Sequence, residues 1–525
     1  MRITADGTKL EVPLGCESYL QMAPSSPLSQ LRAWLPRRPW QKLRPFLQTA
    51  CLTSLLLGAA VAGGRSLGWL QGLELAAYDQ LIRVRPEAEP DPRLLIVGIT
   101  ENDIQTRQEW PIQDQTLTAL LTRLLADEPR VIGLDIFRDV PIGAGHEALL
   151  SQIRQSDRIV TVCKLSSFED PGIAPPASAA AETVGFSDIV VDPGGILRRN
   201  LLVAAPEPFG DVLPLEHLCN GSEILFSFGL QLALKYLQAE GIEAQLTETE
   251  AIQLDTVVLD RFRSGMGGYQ AVDDNGYQIL LNYRSAEQIA PRVTFGQVMA
   301  GQVDPELIRD RIVLIGLTTP QAKDEFYTPY SGGLQDQQKM PGVVVHAQSI
   351  SQILSAVLDD RPLIWTWSTR QEILWIMGWG LMGGVLAWFV RHPLGFSFGL
   401  LLLTGLIYGG AWLLFIEGGW IPLVPPVVSL LVAATGVILV DRFSHSSYGQ
   451  AVYRQVQNLL RLNIEIDTAK VDRQVAEISE TEYFSQLQQR AKQLRQQRQL
   501  SRPTPSASET PPPDAQKAPS PDKED

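Results

Sequence analysis

Residues 373–390 read ILWIMGWGLMGGVLAWFV, 18 positions without a charge. A helix needs roughly 20 such residues to cross the hydrocarbon of a bilayer. Two further runs follow almost at once: 24 uncharged residues at 393–416 and 23 at 418–440. Soluble helices are normally amphipathic, so three such runs in succession point to membrane spans rather than to a globular core. A fourth run of 20 uncharged residues, Pro45 to Gly64, lies near the N-terminus. It contains Ala60-Val61-Ala62, the small-residue pattern of a signal-peptide cleavage site. More than forty residues precede it, which suits an uncleaved anchor better. The topology downstream is the same either way.

Basic residues set the orientation. Arg32, Arg37, Arg38, Lys42 and Arg44 flank the first run, which places the N-terminus in the cytoplasm by the positive-inside bias. Arg391 and His392 then fall inside, the loop Glu417 to Trp420 outside, and Arg442 inside, each in accord with that bias. The expected organisation is a cytoplasmic segment 1–44, a first span or signal anchor 45–65 and an extracytoplasmic domain 66–371. Spans at 372–390, 394–416 and 420–440 follow, then a cytoplasmic helix 441–500 and a Pro-rich tail 501–525. The expected chain crosses the membrane four times.

The 300 or so residues between the first two long runs are far too many for a linker. Leu94 to Thr100, Val131 to Phe137 and Arg158 to Cys163 read as buried strands. Leu117, Leu120, Leu121, Leu124 and Leu125 place a helix over 114–126, so a strand–helix–strand unit with parallel pairing is expected. A helix is read over 224–237 with Ser222 as its cap. Asp274-Asn275-Gly276 carries the hairpin signal ahead of a strand at 278–283. Arg311 to Gly316 is a further strand, and Val343 to Val345 lead into a helix from His346 to Val357. The fold class is a mixed α/β domain joined to an α-helical membrane region and a C-terminal helix.

Composition removes several functions. Lys plus Arg total 44 against 58 for Asp plus Glu, a net charge of −14, which argues against nucleic-acid binding. Four cysteines exclude a disulfide scaffold. No two of the five histidines stand at i, i+4, so no HExxH metal site is present. Gly265-Met-Gly-Gly268 lacks the strand, helix and lysine of a phosphate loop and reads as a flexible loop. Cys163 and Cys219 both fall in the outer segment, where oxidation is possible; their pairing is left open. No catalytic residue, cofactor or metal ligand is assigned.

Four residues are candidate ligand contacts. Asp135 ends a buried strand and Asp103 lies just beyond the preceding one, where ligands gather in open α/β sheets. Arg198 and Arg199 carry guanidinium forks that match carboxylate or phosphate. Helix capping and salt bridges are the plainer explanations of these four.

An ordered series of short pieces runs through the outer segment. It comprises Tyr78-Asp79, Arg83-Val-Arg-Pro86, Ile96 to Ile99 followed by Asp103, Trp110-Pro111 and Val131 to Phe137. It continues through Asp192-Pro-Gly-Gly-Ile-Leu-Arg-Arg199, Leu280 to Tyr283, Ile312 to Gly316, Asp324 to Pro329 and Pro341 to Ala347. The series, with three spans after it, resembles the CHASE domain of the second type, a bacterial extracytoplasmic sensor module. The resemblance implies a kinase, cyclase or similar output domain after the spans. Only 85 residues (441–525) follow here, without a nucleotide loop or a histidine beyond His445. The expectation is therefore a membrane sensor, not an enzyme, that detects an unknown extracytoplasmic ligand and signals through a separate cytoplasmic partner or a homodimer. A non-signalling envelope scaffold, or a regulator of another membrane complex, is the alternative. In the arm 448–500, Val452, Val456 and Leu459 show the 3–4 spacing of a short coiled coil, as do Val471, Val475 and Ile478, and Leu487, Ala491 and Leu494. Seven prolines within 501–525 are incompatible with a packed core and predict disorder.

Overall fold

The structure, a computed structural model, describes residues 46–210, 216–332 and 339–446, with short stretches between 450 and 496. Residues 1–44, most of the arm with Val456 and Leu459, and the tail 501–525 lie outside the described residues. The chain divides into two units, 1–441 and 442–525. In the second, residues 489–496 form an exposed helix that carries Ala491 and Leu494.

The first unit opens with a π-helical turn, Phe46–Cys51, continued by α1 (Leu52–Ser66) and α2 (Gln71–Val84). The α/β domain, called the outer domain after the expected topology, proceeds through β1 (Leu94–Ile99), α3 (Glu101–Arg107), α4 (Asp114–Ala126), β2 (Val131–Asp135), α5 (His146–Gln155), β3 (Ile159–Cys163) and β4 (Val184–Phe186). Next come β5 (Arg199–Ala204), β6 (Leu225–Phe226), α6 (Phe228–Ala239), β7 (Ala244–Leu246), β8 (Ile252–Leu254), β9 (Val257–Leu259), β10 (Tyr277–Leu280), β11 (Arg292–Thr294) and α7 (Phe295–Ala300). The domain closes with β12 (Ile312–Leu317), β13 (Glu325–Phe326), β14 (Met340–Pro341) and α8 (Gly342–Leu358). After β15 (Trp365–Thr366) come α9 (Thr369–Phe389), α10 (Pro393–Ile416), β16 (Gly419–Trp420) and α11 (Val424–His445).

A six-stranded parallel sheet in the order β11-β1-β12-β2-β3-β4 is the frame of the outer domain. Its strands are apolar on both faces because both are covered. Leu94, Ile96, Leu314 and Val160 pack with Phe228, Leu232 and Val343 from α6 and α8. Leu95, Val97, Ile132 and Ile315 pack with Leu117, Leu121 and Leu124 of α4, Ile153 of α5 and Phe295 of α7. The strand–helix–strand unit is present, but β12 lies between β1 and β2.

Four local expectations are corrected. The helix expected from 224 begins at Phe228, capped by Ser227 rather than Ser222, because Leu225–Phe226 are drawn into antiparallel pairing with β5. No hairpin forms at Asn275-Gly276; β10 pairs instead with β5, more than seventy residues back. Val343 to Val345 belong to α8 itself: the helix is buried almost all round, so its β-branched start shows no helical periodicity. The strand read to Phe137 ends at Asp135.

Three helices, Thr369–Phe389, Pro393–Ile416 and Val424–Ser444, are long and apolar enough to cross a membrane. The first apolar run counts as a fourth only together with α2, from which it is bent by 83°. Small residues bring α1 against α9: a Cβ on Gly384 would stand 1.9 Å from Ser54 Oγ. Another, on Gly383, would stand 2.3 Å from the Leu430 carbonyl of α11. Close backbone approach of this kind is how helices associate where lipid supplies no hydrophobic drive.

Candidate functional site: the collar between outer domain and membrane helices

Charged residues that merely bound the apolar runs in the sequence meet in the fold. Arg65 ends α1 and Glu372 opens α9, each at the helix terminus whose dipole favours its charge. Arg65 Nη2 lies 2.6 Å from Glu372 Oε2 and donates to the Gly267 carbonyl at 2.5 Å. Both side chains are buried. Glu74 of α2 accepts from the backbone N–H groups of Leu423 and Val424, each at 2.8 Å. Pro425 and Pro426 follow and have no N–H, so Glu74 takes the two amides available where α11 begins.

An aromatic cluster seals these contacts. Tyr78 of α2 packs at a tilt of 51° against Trp420, ring centroids 4.5 Å apart, and meets Phe415 of α10 edge-on. Gly267, at φ +56, lies so close under Trp420 that a Cβ would stand 2.4 Å from the indole. The segment expected to be a flexible loop is therefore partly a docking surface: Gly267 and Gly268 are buried, while Gly265 faces open space.

One turn further along α2, Asp79 receives both Nε and Nη2 of Arg198, at 2.6 and 2.7 Å. Arg198 Nη1 donates to Asp192 Oδ2 at 2.7 Å, and Asp192 Oδ1 accepts from Arg199 Nε at 2.9 Å. Tyr269 also donates to Asp192, at 2.7 Å. Burial, and the negative charge of Asp192 beside it, hold the Tyr269 phenol well above its usual range. Arg199 completes its bonding on the Asp273 carbonyl and Gln278. These two guanidiniums are thus held in a buried ion-pair network, and α2 carries bonds to the outer domain and to α11 on one rigid element.

The four residues singled out in the sequence fall in three places. Arg198 and Arg199 share Asp192. Asp103 forms a capping box with Thr100 and accepts from Gly296 N–H at 2.9 Å, tying α3 to the start of α7. Asp135 stands at the carboxyl end of β2, its Oδ1 3.9 Å from His346 Nε2 and its Oδ2 buried without a hydrogen-bond partner. Burial pushes its pKa up to about 7. Burial, and then the charge of Asp135, push Asp324 up to about 6, while burial pushes His346 down to about 4. Among the described residues no group of three His, Cys, Asp or Glu side chains is arranged to hold a metal ion. Glu74, Arg65, Glu372, Asp324 and His346 were not singled out. Their only sequence signal is position: charges at the edges of apolar runs, or inside the ordered series 324–329 and 341–347.

A parallel-sheet domain fastened by a buried polar collar to helices long and apolar enough to span a bilayer is the architecture of a membrane protein with one large α/β domain. The chain belongs to the CHASE2 domain family, whose model matches residues 56–385, from the first apolar run into α9. No curated protein and no solved structure matches it.

Proposed function

We propose that the protein is a multi-pass sensor of the bacterial inner membrane. Its outer domain, 66–371, detects an extracytoplasmic signal and relays it through the membrane helices to a separate cytoplasmic partner or a second copy. The proposal assigns the chain no catalysis of its own. The observation that carries the reading is α2, which binds Arg198 through Asp79 and the start of α11 through Glu74. A change at the sheet that moves Arg198 moves α2, and with it the helix that leads to residue 445. Such a relay requires that the signal bind two conformations with different affinity. In this reading Arg198 and Arg199 transmit, and Asp103 positions α3. The Cys163–Cys219 disulfide, Cα atoms 6.3 Å apart, supports an oxidising compartment for this domain.

Orientation is the first test. With Cys16 and Cys51 replaced by serine, single cysteines are placed at Glu248, which is exposed on the outer domain, and at Gln488 in the arm. A membrane-impermeant maleimide applied to intact cells should label the first and reach the second only after lysis. Labelling in the reverse pattern contradicts the proposal.

A further inference from the structure

The 83° bend between α1 and α2 carries a continuous apolar surface on its exposed side. On α1, Leu52 and Leu56 are 53% and 63% exposed, and Ala59 and Gly63 follow on the same face at helical spacing. Leu67 and Trp69 take the surface round the turn, 69% and 76% exposed. Leu73, 59% exposed, and Ala76 continue it along α2. None of these side chains is charged or polar apart from the indole of Trp69. The charged side chains of α2 are engaged on its other sides. Glu74 and Asp79 are buried in the collar, and Arg83 donates to the Pro329 carbonyl at 2.7 Å. Gln71 likewise accepts from the Gln270 N–H at 2.8 Å. An exposed apolar strip of this extent marks a contact with a protein or a membrane.

The surrounding helices decide between the two. Phe46 to Ser66 rise by about 30 Å as a helix, the thickness of a hydrocarbon core. α2, with 14 residues, is too short to cross alone, and the bend prevents it from prolonging α1. Its level is fixed by its neighbours. Arg65 at the end of α1 meets Glu372 at the start of α9, and Glu74 holds the amides where α11 begins. Three apolar helices thus have an end at the turn from which α2 departs, and α2 runs across those ends. The exposed face of α2 is continuous with the exposed leucines of α1.

We propose that α1 crosses the bilayer and that α2 lies along the surface of the leaflet next to the outer domain, with Leu67, Trp69, Leu73 and Ala76 seated in lipid. The partner is the bilayer itself, met where acyl chains give way to headgroups. Trp69 suits that depth: its ring lies against α1, where a Cβ on Gly64 would stand 3.1 Å from it, and its amphipathic indole is of the kind enriched at membrane interfaces. One helix then holds the outer domain through Asp79, α11 through Glu74 and the lipid through Leu73. Lipid packing in that leaflet becomes an input to the relay. The inference rests on the relay for this consequence alone; the lipid seat requires only that α1 spans.

The test uses the full chain in phosphatidylcholine nanodiscs holding one copy each, with Cys16 and Cys51 replaced by serine. An environment-sensitive fluorophore is attached to a single cysteine at Leu73, at Ala76 on the same face, or at Glu248, exposed on the outer domain. Two quenchers are compared: phosphatidylcholine bearing a nitroxide high on its acyl chain, and iodide in the water. Labels at Leu73 and Ala76 should emit to the blue of the label at Glu248, lose most of their intensity to the nitroxide lipid and lose little to iodide. The label at Glu248 should show the reverse. Iodide quenching at Leu73 and Ala76 equal to that at Glu248 overturns the inference, because the face then meets water. Shielding from both quenchers overturns it as well, because protein then covers the face. Either failure with maleimide labelling in the predicted orientation removes the lipid seat and leaves the proposed function standing. Lipid quenching with reversed maleimide labelling does the opposite.

Discussion

The outer domain and the membrane helices solve the same packing problem with opposite residues. In the domain, large apolar side chains such as Leu95, Leu117 and Phe228 are wholly inside. In the helix bundle the closest helix contacts are made by small residues, Ser54, Gly58, Gly380, Gly383, Gly384 and Ser429, beside a few buried large ones such as Ile376 and Leu430. Other leucines face outward there, with Leu394 75% and Leu401 73% exposed. Water expels apolar surface from its side of the molecule, whereas lipid does not, so close backbone packing replaces burial as the stabilising term. Between the two regimes lies the collar, where the chain buries Arg65, Glu74, Asp79, Arg198 and Glu372 and partners each of them. The charges sit where neither solution applies, and there they fix geometry.

Several measurements break or sharpen that contrast. The largest effect belongs to the collar: Arg198→Met leaves Asp79 buried without its cation and Asp192 with Arg199 alone. It should cost about 3–5 kcal/mol of domain stability, read as chemical unfolding of the full chain. An effect below about 1 kcal/mol would mean the network is solvated like a surface pair. Next, Cys219→Ser opens a loop with a sequence separation of 56 residues and should cost about 2–4 kcal/mol in the domain while leaving membrane insertion unchanged. Within the bundle, Gly383→Ala drives a methyl group against the Leu430 backbone and should cost about 1–3 kcal/mol, whereas Gly409→Ala, which faces open space, should be neutral. Equal effects at the two glycines would remove the case for close helix approach.

The smallest effect is a pH dependence at the Asp135, Asp324 and His346 cluster. Carboxyl groups raised by burial keep protons in the folded state that the unfolded chain has released. Stability therefore falls as pH rises from about 4, the ordinary carboxyl value, through about 7 for Asp135 and about 6 for Asp324. His346, lowered to about 4, acts with the opposite sign between that value and about 6.5, where stability falls as pH drops. Two carboxyls outweigh one imidazole in the shared window, and Asp135 acts alone above pH 6.5. Asp135→Asn should therefore stabilise the domain most at pH 8, by about 1–2 kcal/mol more than at pH 5. A difference independent of pH would show that Asp135 does not titrate there.

What the sequence discloses follows from the range of each interaction. The three long spans, β1, β2, β3, β12 and α4 are legible because their apolar runs and periodicities are local and long. The start of α6 is not, since Leu225 and Phe226 become a strand only by meeting β5. Gly276 has the φ of +72 that an Asn-Gly turn suggests, yet β10 finds its partner in β5, not in the segment before it. The collar is the least legible part. Arg65 and Glu372 delimit apolar runs in the sequence, and nothing local says that residues more than three hundred positions apart share a hydrogen bond. Arg198 and Arg199 stand out as anion receptors by residue type, but the carboxylates that occupy them come from α2 and from Asp192.

That the collar couples the two regions is tested most directly by amide hydrogen exchange on the full chain in nanodiscs, comparing Arg198→Met with Cys219→Ser. Both substitutions weaken the outer domain, but only the first releases Asp79 and so frees α2. Coupling through α2 predicts faster exchange at Leu423 and Val424, the amides that Glu74 holds, in Arg198→Met and unchanged exchange there in Cys219→Ser. Equal exchange at those two amides in both variants would contradict it.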